Sequence, residues 1–408
     1  MSTPEGPAHP EDMTTSTATR EPLLTRPFVL LAVADLCYFT AVGVSIYALP
    51  LYATGPLGSG EAGAGLAFGA FAVTAMLLRP WAGRLADRRG RMPLLLAGAL
   101  ICAVTMVGTA HADQLATVVA LRLLLGSAEA AFFVASFAAL ADLAPPSRMG
   151  EALSYNSLGL YLGLALGPPL GELLVTRLDF TAAWYGAGLL ALVGALVVPL
   201  IGETRTGPVS DGRQPLLHRR SIPVALAFVT SIVAMAGFLA FSALYAGEVG
   251  LARTSAPLFL YGLVVVTCRI AFARVVDRFP PLALGSAALA TMAAGLLVAA
   301  AFPTPAGLLT GTVVLAVGIT FSTPAFFAAI FARATPSERG AAAGTASLAM
   351  DVGLGAGPIV LGLVAESAGI PWAFAVGAAT SVVGSLWALQ QRRWERGPRR
   401  LPALRPAR

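Results

Sequence analysis

Apolar residues run through this chain in long blocks separated by short polar breaks. Twelve such blocks occupy residues 28–51, 62–78, 92–109, 115–140, 153–175, 183–201, 222–246, 256–273, 282–301, 308–332, 343–365 and 371–389. At ~1.5 Å of rise per helical residue, each can cross most or all of roughly 30 Å of hydrocarbon. The internal break at 202–221 holds Pro, Gly, Asp and four arginines, and it divides the blocks six and six. The pattern predicts an all-α polytopic membrane protein with twelve transmembrane helices in two six-helix halves, 28–201 and 222–389. Residues 1–27 become a polar tail, 202–221 a linker and 390–408 a basic tail.

Composition agrees with that pattern. Hydrophobic residues make up 57% of the chain and charged residues 12%, and the mean hydropathy is +0.77. A soluble domain carries about 25% charge, so an ordinary soluble enzyme is excluded. Cys37, Cys102 and Cys268 lie inside apolar blocks, as small core residues. His9, His111 and His218 are scattered over the tail, a loop and the linker. No metal, catalytic cluster or cofactor is therefore expected, and no phosphate-binding loop is present.

The basic residues are 27 arginines, with no lysine. If the chain starts in the cytoplasm, only Arg177 and Arg253 fall in outside loops and Arg122 falls within a block. The other 24 sit on cytoplasmic segments or block ends. The positive-inside rule then puts both termini in the cytoplasm. It also accounts for the net charge of +6 without a nucleic-acid partner. Short loops point to a bacterial inner membrane, and a monomer is expected.

The halves share an internal repeat. Arg79, Gly83, Arg84, Asp87 and Arg88 recur 190 positions on as Arg269, Ala273, Arg274, Asp277 and Arg278. The same offset relates Pro146, Ser147 and Gly150 to Pro336, Ser337 and Gly340. It also relates Gly163, Gly167 and Pro168 to Gly353, Gly357 and Pro358. Separate segments sharing one shift argue for two six-helix pseudo-repeats, an architecture of transporters.

The stretch 83–91, Gly-Arg-Leu-Ala-Asp-Arg-Arg-Gly-Arg, resembles the signature loop of the major facilitator superfamily. Arg122 and Gly126 resemble that family's second motif. Residues 163–171, Gly-Leu-Ala-Leu-Gly-Pro-Pro-Leu-Gly, resemble its antiporter motif, which is typical of exporters. The resemblance covers residues 28–389 and implies the major facilitator fold. It implies a gate motif at Gly83, Asp87, Arg88, Gly90 and Arg91, with a second copy at Asp277 and Arg278. In that copy Phe279-Pro280-Pro281 replaces the family's Gly and basic residues. By the resemblance, Asp87 faces the cytoplasmic N-terminus of the eleventh helix, where the dipole favours an anion by about 0.3–1 kcal/mol. Asp277 would do the same at the fifth helix.

Small residues have their own reason. Gly83 would let two helices approach closely. Gly163 and Gly167 share a face, and Pro168 removes a backbone hydrogen bond and bends its helix. Topology alone would explain the arginines of the gate motif, but not an aspartate among them.

Four ionisable residues fall well inside blocks, away from their ends: Asp35, Arg122, Glu129 and Asp351. Each costs about 2.5–3.5 kcal/mol to insert at a helix centre, so a functional role is the default expectation. A structural ion pair is the competing one. Arg122 and Glu129 share a helix face but stand roughly 10 Å apart in rise. Asp35 and Glu129 are the expected proton-binding acids, with Arg122 tuning them. Asp351 is expected to act as a gate or substrate residue. On the family pattern the cavity draws on Tyr38, Phe132, Phe133, Tyr155, Asn156, Phe241 and Phe326, which suits an amphipathic ligand.

These expectations converge on a secondary active transporter, neither enzyme nor ATP-driven pump. It would export amphipathic small molecules, such as drugs or metabolites, against protons by alternating access within the lipid bilayer. A nutrient importer or uniporter is the alternative within transport. A non-transporting membrane receptor is the alternative from another class.

Overall fold

The computed structural model describes residues 23–145, 148–205, 217–272, 278–335 and 338–396, without the side chains of 150, 151, 153–157, 395 and 396. Asp277, the Pro-Ser pairs of the repeat, and the side chains of Tyr155 and Asn156 lie outside the described residues. The helices are α1 (Arg26–Thr54), α2 (Gly60–Arg89), α3 (Met92–Thr109), α4 (Leu115–Leu143), α5 (Met149–Arg177) and α6 (Phe180–Ile201). A single 3₁₀ turn, Arg219–Ser221, leads into α7 (Ile222–Glu248) and α8 (Ala256–Ala271). Then come α9 (Pro281–Ala301), α10 (Pro305–Phe331), α11 (Arg339–Ala368) and α12 (Ile370–Arg396). Among the described residues, eleven are long and apolar enough to cross a membrane. The described part of α8 is a shorter apolar helix of 16 residues.

Local chemistry sets several helix ends. Thr25 caps α1 by accepting from Phe28 N at 3.4 Å, with Pro27 in the first turn. Asp179 caps α6 through Ala182 N at 2.7 Å, and Thr304 caps α10 through Gly307 N at 3.1 Å. Gly90 stops α2 with φ at 99°, a conformation that favours glycine. Helix α2 outruns its apolar block by eleven residues at this end, so most of the motif read as a loop is helical. Ala, Leu and Arg are good helix formers. Hydropathy marks only the part of a helix that sits in hydrocarbon.

The first six helices pack mainly on one another, and so do the last six. The two groups meet along α2 against α11, α5 against α8, and α1 against α7. Large apolar side chains such as Leu77, Val104, Leu196, Leu226 and Leu386 point outward, each more than half exposed. A solvent-facing surface rarely carries that much apolar area, but a lipid-facing one does.

The bundle has two ends. The near face carries the start of α1, the α2–α3 turn, and residues 202–205 and 217–221. The far face carries the α1–α2, α7–α8 and α11–α12 turns.

Candidate functional site

One intramembrane ion pair joins the two groups of helices, and the other charges lie within the first group beside it. Asp351 of α11 is buried, and its carboxylate receives two bonds from Arg79 of α2, Nε at 2.7 Å and Nη2 at 2.9 Å. The Arg79 guanidinium also lies 4.7 Å from the centre of the Phe133 ring. Glu129 of α4 is buried within the fields of Arg79 and Arg122. Asp35 of α1 is fully buried, and Ser136 Oγ of α4 stands 2.9 and 2.8 Å from its two oxygens.

Arg122, whose charge faces Glu129, also ties α4 to α1 and α2. Its guanidinium donates to Ala67 O at 3.1 Å, Phe68 O at 3.3 Å and Ser45 Oγ at 3.2 Å, and it lies over Phe71 at 5.0 Å. Gly126 explains the reach. A Cβ there would collide with Phe71 O, so only glycine lets α4 come this close to α2.

A second arginine repeats the Arg79 arrangement. Arg269 of α8 donates from Nη2 to the Tyr161 hydroxyl of α5 at 2.9 Å, and its guanidinium lies 4.4 Å from that ring centre. Arg269 stands 190 positions after Arg79, and Asp351 stands 190 after Tyr161. Each pair joins a helix of the first six to one of the last six.

The glycines named from sequence divide into two groups. Gly163 and Gly167 of α5 face α1, where a Cβ would stand 2.9 Å from Phe39 C and 2.5 Å from Gly43 Cα respectively. Gly353 and Gly357 of α11 face α7 in the same way, against Ile232 at 2.5 Å and Val233 at 2.9 Å. Pro168 and Pro358 follow on the same helices. Gly83 makes no such approach, since a Cβ there would meet only Val134 Cγ1 at 4.0 Å. The tight contacts of α2 lie higher up, at Gly65 and Gly69 against the α11 backbone.

The aromatic residues also divide. Tyr38 stacks on Phe132 with ring centres 3.9 Å apart, both fully buried between α1 and α4. Phe326 packs on Phe228 at 5.6 Å, and Phe241 is equally buried. The two aromatic pairs each pack within one helix group. Two of the cavity candidates sit with the charges, Phe133 under Arg79 and Tyr38 against Glu129.

A sequence model of the Major Facilitator Superfamily matches residues 31–330. The chain belongs to that superfamily. An uncharacterised transporter of this facilitator type from Salmonella typhimurium is 27% identical over 371 residues, covering 88% of this chain and 94% of its own. A homologue of a multi-drug resistance efflux pump from Lactococcus lactis is 35% identical over 167 residues, 40% of this chain and 39% of its own. Among solved structures, a bacterial homologue of the human lysosomal transporter Spinster superposes with a TM-score of 0.73. That match has 15% identity and covers 90% of this chain and 96% of the other. The facilitator is thus a membrane transporter.

At the near face of the facilitator, Asp87 accepts from Arg91 Nη1 at 2.8 Å, and Arg91 Nε reaches Asp142 at 3.1 Å. Arg205 Nη1 caps the end of α2 through Asp87 O at 2.6 Å and Arg88 O at 3.0 Å. Glu203 accepts from the N–H groups of Arg91 at 2.9 Å, Met92 at 3.3 Å and Arg205 at 3.0 Å. Partial burial pushes its carboxyl up, but these backbone donors together outweigh that and hold it below the usual glutamate range. All these groups belong to the first six helices and the segment just after them, so in this conformation Asp87 bonds within its own group. Arg88 and Arg278 are exposed.

The far face is joined across the groups. Glu172 of α5 is buried and accepts from Thr254 N at 2.8 Å and Ser255 Oγ at 2.5 Å, at the start of α8. Tyr47 of α1 bonds to Thr254 Oγ1 at 2.7 Å. Glu366 of α11 accepts from Ala62 N at 2.9 Å, at the start of α2. Two carboxylates thus sit on two helix N-termini, where the dipole favours them. Sequence reasoning passed over Glu172 and Glu366 because each lies near the end of its apolar block.

Glu172→Ala is expected to cost about 1–3 kcal/mol of far-face closure, since it strands a buried N–H and hydroxyl. Labelling of a cysteine placed at Thr254 by a membrane-impermeant maleimide should become several-fold faster in that background. An unchanged labelling rate would remove Glu172 from the seal.

Proposed function

We propose that this facilitator is a proton-coupled exporter of amphipathic small molecules, working by alternating access of two six-helix repeats with the near face cytoplasmic. The observation that carries the reading is the set of buried acids: Glu129 and Asp351 share the field of Arg79, which joins the two groups of helices, and Asp35 is buried within the first group against Ser136. Unpaired by function, such charges would be an expensive way to build a membrane bundle.

Ser136 suits a proton site at Asp35. A hydroxyl both donates and accepts, so it can serve the carboxylate and then turn to accept from the carboxylic acid. Asp351 has a different chemistry. Its carboxylate holds α11 to α2 through Arg79, and neutralising it would release that contact. A proton on Asp35 or Glu129 would then couple to a change in how the groups of helices meet. The driving force is ~2.3 kcal/mol per charge per 100 mV.

The matching of Arg79–Asp351 and Arg269–Tyr161 by one offset of 190 supports the two-repeat arrangement. The contacts across the far face, and a near-face network confined to one group, fit a chain caught facing inward. The antiporter-like glycines and the efflux pump homologue favour export.

The test uses inside-out vesicles with an imposed proton gradient and a panel of amphipathic aromatic solutes. A substrate should discharge the gradient with the native chain but not with Asp35→Asn or Glu129→Gln. Solute equilibration with no proton movement would instead favour a uniporter, and solute movement in the opposite sense an importer.

A further inference from the structure

The two cross-group arginines are alike in position and unlike in neutralisation. Arg79 presents its Nε–Nη2 edge to a carboxylate, and both bonds are made. Arg269 presents the equivalent edge to a phenol. Only Nη2 is satisfied, by the Tyr161 hydroxyl, while Nε is buried without a hydrogen-bond partner. Arg269 forms no ion pair among the described residues. A guanidinium cannot shed its charge to escape this position. The protein therefore keeps a full positive charge, with an open donor edge, at a seam between its two groups of helices.

The surroundings suit an amphipathic anion. The Arg269 guanidinium lies over the Tyr161 ring, 4.4 Å from its centre. The Tyr161 hydroxyl is itself half-free to donate. Tyr261, about two turns earlier on α8, is buried in the field of Arg269. A planar oxyanion meeting Nε would complete the fork that Asp351 completes on Arg79. We propose that Arg269 and Tyr161 receive the oxyanion of an amphipathic solute, a carboxylate, sulfonate or phosphate, and this rests on the transporter reading above. The transported class is then anionic aromatic compounds rather than lipophilic cations.

The test is a binding measurement, which needs neither a gradient nor flux. Full-length protein in phosphatidylcholine nanodiscs is dialysed against radiolabelled 2-naphthoate, 2-naphthalenesulfonate and the neutral isostere 2-naphthamide. The native chain should prefer the two oxyanions by about tenfold or more. Arg269→Gln should remove that preference and leave 2-naphthamide binding unchanged, while Arg269→Lys keeps part of it. Tyr161→Asp rebuilds the neutralised pair of the other seam, and should abolish oxyanion binding while raising the unfolding temperature. That variant keeps the test decisive if Arg269→Gln folds poorly. Adding phosphatidylglycerol separates the sources of the anion. Competition that depends on Arg269 assigns the edge to a lipid phosphate, and no competition assigns it to the solute. Equal binding of acid and amide by the native chain, or a preference that survives Arg269→Gln, overturns the proposal. A chain that binds the oxyanions selectively yet moves no solute would overturn only the transporter reading.

Discussion

Asp351→Asn is expected to destabilise the protein by about 3–5 kcal/mol, because it leaves the Arg79 guanidinium in the membrane interior without its counter-charge. The Arg79→Gln variant should cost a similar amount for the converse reason. The double variant, Arg79→Gln with Asp351→Asn, removes both charges and should regain most of the loss, since neither charge is then stranded. Thermal unfolding of the purified protein measures the recovery. Transport separates the roles of the pair. If the ion pair only braces α2 against α11, the double variant transports. If its making and breaking is part of the cycle, the double variant is stable and inactive. Restored stability with restored transport would demote the pair to packing.

Gly65→Ala is expected to have the second largest effect. The added Cβ would run into Pro358 O and lie 3.2 Å from Gly362 Cα, both backbone atoms that no rotamer can move. The α2–α11 seam must then part along its far half. A loss of about 1–3 kcal/mol follows from overpacking alone, together with faster labelling of far-face cysteines. Gly83→Ala is the control. The space beside Gly83 is open, so that change should be tolerated in this conformation. Equal damage from both would mean that the crowding at Gly65 does not hold the seam.

The architecture was largely legible because hydropathy reports helices directly. Twelve apolar blocks correspond in order to twelve helices among the described residues. The errors fell where hydropathy has no voice. Helix α2 continues through a charged motif because helix propensity, not burial, carries it to Arg89. Gly83 looked like a contact glycine, but its helix face at that level meets only Val134. The acids were legible as costly residues in apolar blocks, yet their partners were not. Arg79 lies 272 positions from Asp351 and just beyond its own block. One clue stood in the sequence unused. Arg79 maps to Arg269 and Tyr161 to Asp351 under the same shift, so two repeats packed about a common axis would bring both pairs together. Phe132, Phe241 and Phe326 are buried in this conformation, and aromatic residues fill helix interiors as readily as they line cavities, so their type alone did not separate the two roles.

The α2–α11 seam is made largely of glycine and backbone, and this bears on how sharply the molecule can switch. A seam of leucines or methionines would freeze about 0.5–2 kcal/mol of rotamer freedom per residue each time it closed. Gly65, Gly69, Gly355 and Gly362 have no side chains to freeze. Closing and parting of such a seam would differ little in side-chain entropy, so their balance would rest on a few polar contacts. Since about 1.4 kcal/mol shifts an equilibrium tenfold, the gain or loss of a single polar contact would be enough to tip such an equilibrium.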